Sequence, residues 1–257
     1  MTRHFFLLKE LVRRDVQGRY AGSLFGFVWS FAQPLWMLVL FAFVFSTVMK
    51  VPAVGVRSGN FGVFLFSGLL PWMAVQEGVF RATTSVTENA SLVKKLRFPS
   101  EILVLAVVLA ALVHEGIAAA VFLAALALLG DLSWRGLPLL LVAIPLQLAL
   151  TLGLGWLLGS IHVFFRDAAQ VLGMALTAWF YLTPIVYPAS LVPERLRPWI
   201  EMNPLTGLVA LYRRALLAEA SPPSAVGLWS LCIAASGLFL GGLWLFRRLK
   251  PTFVDEI

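Results

Sequence analysis

The chain has 257 residues, of which 60% are hydrophobic and only 13% are charged. A water-soluble globular domain has about 45–50% apolar and about 25% charged residues, so this composition excludes that class and indicates a membrane protein. The net charge is +7, but the basic residues cluster at the ends of apolar runs. That pattern favours anionic lipid headgroups as partners and argues against nucleic acid.

The first segment, residues 2–19, is predicted to form an amphipathic helix. Apolar residues repeat at helical spacing along one face and polar ones line another: Phe5, Leu8, Val12 and Val16 on the first, Lys9, Arg13 and Gln17 on the second. We expect this helix to lie in the cytoplasmic headgroup layer with its apolar side toward the lipid. A simple surface anchor explains the same pattern. Charged residues interrupt the apolar stretch, so no signal peptide is expected.

Six later runs have the length of about 20 apolar residues that a bilayer span needs. They are residues 27–49, 61–84, 102–129, 137–164, 171–187 and 225–246. They predict an all-α integral membrane protein with a single domain over residues 1–257. Its six transmembrane helices form a bundle over residues 27–246, and residues 247–257 form a cytoplasmic tail.

The orientation follows from the distribution of lysine and arginine. An even number of spans places both termini on one side of the membrane. That side carries 13 of the 20 Lys and Arg residues; the other seven are Lys50, Arg57, Arg135, Arg195, Arg197, Arg213 and Arg214. The positive-inside rule therefore places both termini in the cytoplasm.

Residues 88–99, between the second and third predicted spans, read ENASLVKKLRFP. Asn89 or Ser91 is a suitable cap for a short helix, and Pro99 disfavours its continuation. This helix would present three basic residues to the cytoplasm: Lys94, Lys95 and Arg97. Basic residues at this place also serve simply to fix the orientation of a membrane protein.

Residues 188–223, between the last two predicted spans, are too apolar for a solvated loop and are interrupted by prolines. Asn203 is a suitable cap for a helix with Pro204 at its first position, running over about residues 205–218. That helix is too short to span a bilayer. A pair of re-entrant half-helices in the outer leaflet fits best, and a helix lying flat on the outer surface is the alternative.

Ionisable residues inside the spans are few, which argues against a membrane enzyme. Glu77 lies in the second span, and His114 and Glu115 are adjacent in the third. Neighbours on a helix point about 100° apart, so the last two need not share a site. We expect Glu115 to be hydrogen-bonded inside the bundle. Arg166 and Asp167 follow the fourth span, and nothing in the sequence has the spacing of a catalytic or metal site.

Two further patterns concern packing and passage. Gly153, Gly155 and Gly159 form a small-residue stripe of the kind that lets helices approach closely. Aromatic residues are numerous, and an aromatic-lined passage suits sugars; the candidates are Phe31, Trp36, Phe165 and Tyr181. Each of these aromatic side chains can instead pack against lipid or other helices.

Five segments, taken together and in order, carry a family resemblance. They are LLKELVRRDVQGRYAGSLFGFVWSFAQPL (7–35), SLVKKLRFPSEIL (91–103), FFRDAAQVL (164–172), FYLTPIVYP (180–188) and MNPLTGLVALYRRALL (202–217). In these the chain resembles the permease subunits of polysaccharide and polyol-phosphate ABC exporters, which move O-antigen, capsule or teichoic acid chains. The resemblance runs nearly from end to end.

The resemblance implies a homodimer of six-helix subunits around a channel, with a soluble ATPase docked below each subunit. No phosphate-binding loop of the G-x-x-x-x-G-K-[ST] kind is present, so ATP and Mg are expected on the partner and no cofactor on this chain. The usual substrate is a polysaccharide on undecaprenyl diphosphate, and the location is the bacterial cytoplasmic membrane. Export of a drug or another lipid, or an enzyme of envelope lipid synthesis, remains open at this point.

The same resemblance assigns roles to individual residues. The N-terminal helix and the segment at residues 91–98 correspond to the interface and coupling helices that contact the ATPase; the basic residues concerned are Arg13, Arg14, Lys94, Lys95 and Arg97. Arg166 and Asp167 match a motif at the cytoplasmic entrance of the channel. The outer gate corresponds to residues 188–223, and the positions assigned to it are Pro184, Pro188, Asn203 and Pro204.

Overall fold

The fold is entirely helical in the part of the chain that the structure describes. The computed structural model describes residues 2–18, 28–51, 55–95 and 99–257. Within these ranges, the one pairing of β type is an isolated bridge between Leu132 and Leu217. The predicted all-α class is therefore confirmed.

Eleven helices are numbered here in chain order over the described residues. They are α1 (Thr2–Gly18), α2 (Trp29–Phe41, continued in wider turns over Ala42–Val48), α3 (Phe61–Glu88), α4 (Ala90–Lys95), α5 (Glu101–Leu129), α6 (Leu140–Phe164), α7 (Ala168–Leu182), α8 (Arg197–Met202), α9 (Pro204–Leu216), α10 (Ala225–Leu249) and α11 (Phe253–Glu256). Short 3₁₀ turns lie at Leu137–Leu139, Ala189–Leu191 and Lys250–Thr252.

Five helical stretches among the described residues are long and apolar enough to cross a membrane. They are Phe31–Val48, Phe61–Glu88, Glu101–Leu129, Leu137–Phe164 and Ala225–Glu256. They match five of the six predicted spans, and the membrane class follows from their length and hydropathy. The count of six is not confirmed, because the remaining predicted span is shorter than expected.

That remaining span, predicted over residues 171–187, is the helix α7. It has 15 residues, which is about 22 Å of helix against a bilayer core of about 30 Å. α7 ends at Leu182 because Thr183 precedes Pro184 and takes the extended conformation, with φ −101° and ψ 133°. The prediction that the helix continues through residue 187 is wrong for this reason.

The helix α3 is the centre of the bundle, and α2 is peripheral. In the most apolar stretch of α3, 78% of the residues are buried, against 6% in α2. Asn60 begins α3 as its N-cap, since its side chain accepts a hydrogen bond from the Gly62 amide at 2.9 Å. The main neighbours of α3 are α5, α6 and α9, and it also contacts α2, α4 and α7. Residues on α3 are therefore placed to contact most of the bundle.

The glycine stripe of α6 brings three helices into close contact. A Cβ atom at Gly242 of α10 would strike the carbonyl group of Gly153, and one at Gly155 would lie 2.7 Å from the Ala82 side chain of α3. A Cβ at Gly159 would lie 3.2 Å from the Ala82 carbonyl oxygen. The predicted role of this stripe in helix packing is confirmed.

The bundle has two ends, called here the α1 end and the α9 end. At the α1 end, α1 packs on α5, and α11 packs on α4 and α6. Its buried core contains Leu11, Val86, Val93, Leu103, Trp156, Phe246 and Phe253. At the α9 end, α9 inserts between α3, α6 and α10. Residues 247–257, predicted as a tail, thus belong to the packed structure: α10 extends to Leu249 and Phe253 is fully buried.

Candidate functional site

The helix α1 is joined to the bundle by polar side chains. Arg81 of α3 donates two hydrogen bonds to the carboxylate of Asp15, one of them at 2.7 Å. Arg81 also lies 3.6 Å from Glu77, one turn earlier on the same helix. Arg14 donates to the side-chain oxygen of Asn89 at 3.3 Å, immediately before α4. α1 is therefore linked by its side chains to both α3 and the start of α4.

The apolar face of α1 is turned toward the bundle. Leu11 is 9% exposed, and the apolar residues packed around it are Leu7, Leu8 and Val12. Phe5 and Phe6 are exposed instead, at 71% and 66%. This differs from the predicted orientation, in which Leu8 and Val12 face the lipid. The physical reason is that the start of α5 offers an apolar surface at Leu103, where packing removes part of these side chains from solvent.

The basic residues assigned to coupling lie at this same end. Arg13, Arg14 and Lys94 are exposed, whereas Val93 is 8% exposed and anchors α4 in the core. The short helix predicted over this segment is confirmed as α4. The Asn89 side chain accepts a hydrogen bond from Arg14 and donates one to the Ser85 carbonyl oxygen, so it is engaged outside α4. The side chain of Lys95 and all of Arg97 lie outside the described residues.

Arg166 and Asp167 form the exposed turn between α6 and α7, also at the α1 end. Arg166 borders a cavity of about 400 Å³, which is lined as well by Glu88, His162 and Glu256. The C-terminal helix α11 therefore contributes to the surroundings of Arg166. Sequence reasoning did not connect these two segments, because they are separated by the whole of α7 to α10.

Asn203 is the centre of the opposite end. As N-cap of α9 it accepts a hydrogen bond from the Leu205 amide at 3.1 Å, which confirms the predicted cap. The same oxygen accepts from the indole Nε1 of Trp179 at 2.9 Å. The Asn203 amide donates to the Thr183 hydroxyl at 2.9 Å. One side chain thus starts α9 and fastens it to the last turn of α7.

Arg213 fastens the other end of α9 to the same region. Its guanidinium donates to the carbonyl oxygens of Pro184 at 2.8 Å and Ile185 at 2.9 Å. It also stacks on the Phe64 ring of α3, 3.7 Å from the ring centre. Among the assigned gate positions, Pro184, Asn203 and Pro204 are therefore close in space, while Pro188 lies at the start of the following 3₁₀ turn.

The loops at the α9 end are held together by the buried carboxylate of Asp131. This side chain is fully buried and accepts hydrogen bonds from the amide, at 2.9 Å, and the hydroxyl of Ser58. Its backbone carbonyl accepts from the Ala218 amide at 2.9 Å. Asp131 was not among the site residues predicted from the sequence. The sequence feature that could have indicated it is an acidic residue directly after Gly130, the glycine that ends a long apolar helix.

The proposed channel aromatics all lie on the surface of the subunit. Phe31 and Trp36 of α2 are 43% and 67% exposed, and Phe165 and Tyr181 are 70% and 62% exposed. They do not converge on a passage inside the single subunit. A channel lined by them would have to form outside this bundle, so their role stays a prediction.

Inside the bundle, Glu115 is hydrogen-bonded as the sequence predicted. Its Oε2 accepts from the Gln147 side-chain amide at 2.5 Å, and the Gln147 oxygen accepts from the Tyr212 hydroxyl at 2.5 Å. Sequence reasoning singled out neither Gln147 nor Tyr212. The available signal was a glutamine in the middle of an apolar run.

Comparison with known proteins assigns this arrangement to a family. The sequence profile of the family described as ABC-2 type transporter matches residues 7–217. The chain belongs to the ABC-2 type transporter family. The prediction of a transporter membrane subunit is confirmed, and the alternative of a membrane-embedded enzyme loses its support.

Relatives of this ABC-2 transporter subunit extend over nearly its full length. The O-antigen export system permease protein RfbA of Myxococcus xanthus is 29% identical over 255 residues, which cover 98% of this chain and 95% of that protein. A protein of the same name from Klebsiella pneumoniae has the same identity and coverage. The polysialic acid transport protein KpsM of Escherichia coli is 22% identical over 219 residues, or 82% of this chain and 81% of the relative. The resemblance inferred from the five motifs is confirmed.

Proposed function

We propose that this chain is the channel-forming subunit of an ATP-driven exporter that moves a lipid-linked polysaccharide across the bacterial cytoplasmic membrane. The observation that carries the proposal is the full-length similarity to permeases named for O-antigen export. The match to a protein named for polysialic acid transport extends the similarity to a second polysaccharide. Both relatives are named for sugar polymers, which favours this substrate class over drugs or simple lipids.

In this proposal the α1 end faces the cytoplasm and binds a soluble ATPase. The exposed basic residues Arg13, Arg14 and Lys94 belong to this end, and the excess of lysine and arginine there agrees with cytoplasmic termini. α1 is attached to α3 through Asp15 and Arg81, so a force on α1 reaches the centre of the bundle. ATP and Mg are held by the ATPase, and this chain supplies the docking surface.

The α9 end then forms the outer gate. α8 and α9 are two short helices joined at Asn203, and eight residues of α9 are buried, including Leu208 and Tyr212. This burial supports re-entrant half-helices over a helix lying flat on the surface. ATP binding would close the ATPase pair, and α4 would transmit the movement. α9 would then part from its neighbours.

Two subunits and two ATPase copies complete the assembly. The exposed apolar faces of α2 and α7, which carry Trp36 and Tyr181, support a second copy as their partner. A passage between two such faces would be lined by aromatic rings on which sugars stack. Arg166 and Asp167, on the exposed turn at the cytoplasmic end, would stand at its entrance.

The test is a pull-down of the tagged subunit from its native membrane, followed by reconstitution in liposomes. We expect a soluble ATPase at one copy per membrane subunit, and ATP hydrolysis that rises when undecaprenyl-diphosphate-linked oligosaccharide is added. Recovery of the subunit without an ATPase in several mild detergents would overturn the proposal. Stimulation by a hydrophobic drug, with none by the glycolipid, would move the substrate to the drug-export class.

A further inference from the structure

A continuous set of buried polar side chains joins α5 to the gate helix α9 across α6. Tyr212 of α9 donates its hydroxyl to Gln147 of α6, and Gln147 donates its amide to Glu115 of α5, each at 2.5 Å. Their exposed fractions are 2%, 0% and 8%. No other element lies between the three side chains, so a displacement of one is felt directly by the next.

Burying these polar side chains costs free energy, so filling the core does not by itself explain them. Polar groups in an apolar interior gain little net stability from their hydrogen bonds, and apolar side chains of equal size would pack there as well. Buried polar contacts instead define one particular arrangement of the helices, because any other arrangement leaves them unpaired. The arrangement defined here is the docked position of α9 against α6.

One carboxylate oxygen of Glu115 takes no part in these hydrogen bonds. Among the described residues, Oε1 has no hydrogen-bond partner and Glu115 borders a cavity of about 130 Å³ between α2, α3 and α5. The other oxygen, Oε2, accepts the hydrogen bond from Gln147. A movement of α5 therefore acts directly on the Gln147 side chain.

The helix α5 also connects this link to the coupling segment. α5 begins at Glu101, six residues after the end of α4, and Glu115 lies 14 residues further along, which is about 21 Å of helix. At its start, Glu101 is paired with Lys250, in the 3₁₀ turn that follows α10, at 2.7 Å. α5 follows α4 in the chain, so a movement of α4 that is passed to the start of α5 also displaces Glu115.

We infer that Glu115, Gln147 and Tyr212 form a latch that passes movement of the coupling segment through α5 to the gate helix α9. In the closed state the latch holds α9 against α6. When α5 shifts, the contact between Tyr212 and Gln147 opens and α9 is released. The inference rests on the proposed function, since it takes α4 as the coupling element and α9 as the gate.

Separate contacts hold α9 to α7 and are not part of the latch. Asn203 and Arg213 bind the end of α7, whereas Tyr212, adjacent to Arg213, binds α6. Neighbouring residues of one helix therefore attach α9 to two different parts of the bundle. Loss of the Tyr212 hydroxyl should weaken the attachment of α9 to α6 while its attachment to α7 remains.

The test measures the exposure of a buried residue on α9. Val209 is 2% exposed and packs near Gly68 of α3, so Val209→Cys in a Cys232→Ala background reports release of α9. The full-length subunit is reconstituted in liposomes with its ATPase, and labelling by a membrane-impermeant thiol reagent is timed with and without ATP. With the latch intact, labelling should be slow without ATP and faster with it.

Tyr212→Phe removes one hydroxyl and should raise the labelling rate without ATP roughly fivefold, the effect of losing one hydrogen bond. The ratio of the rates with and without ATP should fall toward one. Adding Gln147→Met also removes the hydrogen bond to Glu115, but it should change the labelling rate little further, because the contact to α9 is already broken. Glu115→Gln, which keeps an oxygen for the Gln147 amide, should preserve the response, whereas Glu115→Met should abolish it.

Tyr187→Phe is the matched control. Its hydroxyl donates to the Tyr181 carbonyl at the surface, so the same chemical change should leave labelling at the parent rate. The inference is overturned if Tyr212→Phe labels like the parent, or if Tyr187→Phe has an equal effect. The labelling rates without ATP are also measured on the subunit reconstituted alone, so they test the latch even if the pull-down contradicts the proposed function.

Discussion

The carboxylate of Asp15 on α1 and the guanidinium of Arg81 on α3 form a two-point ion pair between residues 66 positions apart in the sequence. The Asp15 side chain is 18% exposed and that of Arg81 is 33% exposed. A partly buried, doubly hydrogen-bonded pair contributes more than a surface pair, because water competes less for its groups. We therefore regard it as the main attachment of α1 to α3.

A double-mutant cycle with Asp15→Asn and Arg81→Gln should give a coupling free energy of about 1–2 kcal/mol. The measurement is the free energy of unfolding in detergent. The control pair is Arg57 and Glu219, in which Nε and Oε1 are 3.4 Å apart. Their side chains are 64% and 54% exposed. Its cycle should give less than about 1 kcal/mol. Equal coupling in the two cycles would contradict the assigned role of the Asp15 pair.

Removing the basic residues of the coupling segment should separate ATP hydrolysis from export. The triple variant Lys94→Ala, Lys95→Ala, Arg97→Ala should fold, because Lys94 is exposed and the segment is peripheral. We expect export to be lost while the ATPase still hydrolyses ATP. Export and hydrolysis are measured together in liposomes.

The matched control for this variant removes three exposed basic residues from the opposite end. Arg135→Ala, Arg195→Ala, Arg197→Ala changes the charge equally and should leave coupling intact. Wild-type export by the first triple variant would remove the coupling assignment. A reversed orientation, measured by thiol labelling of the loops, would show that these residues act only on topology.

Asn203→Ala should destabilise the protein by more than the loss of an ordinary helix cap. A lost N-cap costs about 1 kcal/mol, and this variant also leaves Trp179 and Thr183 without their partner. The control is Ser224→Ala, which removes the N-cap of α10 and its 3.0 Å bond to Gly227. Thermal unfolding of both variants checks the difference. Equal losses would mean that the ties to α7 contribute nothing.

Gly242→Ala should be strongly destabilising, and Gly241→Ala should not. A Cβ at Gly242 strikes the backbone of Gly153, whereas one at Gly241 meets nothing within 4 Å. Overpacking costs about 1–3 kcal/mol, and relief of glycine flexibility in a helix gains about 1 kcal/mol. The two neighbouring substitutions should therefore shift the unfolding temperature in opposite directions. Equal shifts would show that α6 and α10 are less closely packed.

Phe253→Ala should weaken the α1 end. Phe253 is fully buried against Phe246 and Phe164, and truncating such a ring costs about 3–5 kcal/mol. Val254→Ala, at a position 46% exposed on the same helix, should cost far less. The readouts are the free energy of unfolding and the amount of ATPase retained in a pull-down. A Phe253→Ala variant with unchanged stability would show that residues 247–257 do not contribute to the packed structure.

Several features followed from the sequence alone because their causes are local. About twenty largely apolar residues predict a span wherever they lie, and the described part of the chain contains five such helices. Asn203 followed by Pro204 predicts the start of α9, since capping involves only the next two residues. The glycine stripe of α6 predicted a close helix contact, but the sequence did not indicate that the partners are α3 and α10.

The tertiary structure decided which faces meet, and the remaining features depend on that. Glu115, Gln147 and Tyr212 lie on three helices, and no local pattern states that their side chains touch. The apolar face of α1 suited lipid and protein equally, and the surface offered by the start of α5 settled its direction. Composition and spacing therefore determined the class of the protein and the start of α9. The polar contacts between α1 and α3, and between α5, α6 and α9, arise only when packing brings distant residues within hydrogen-bonding distance.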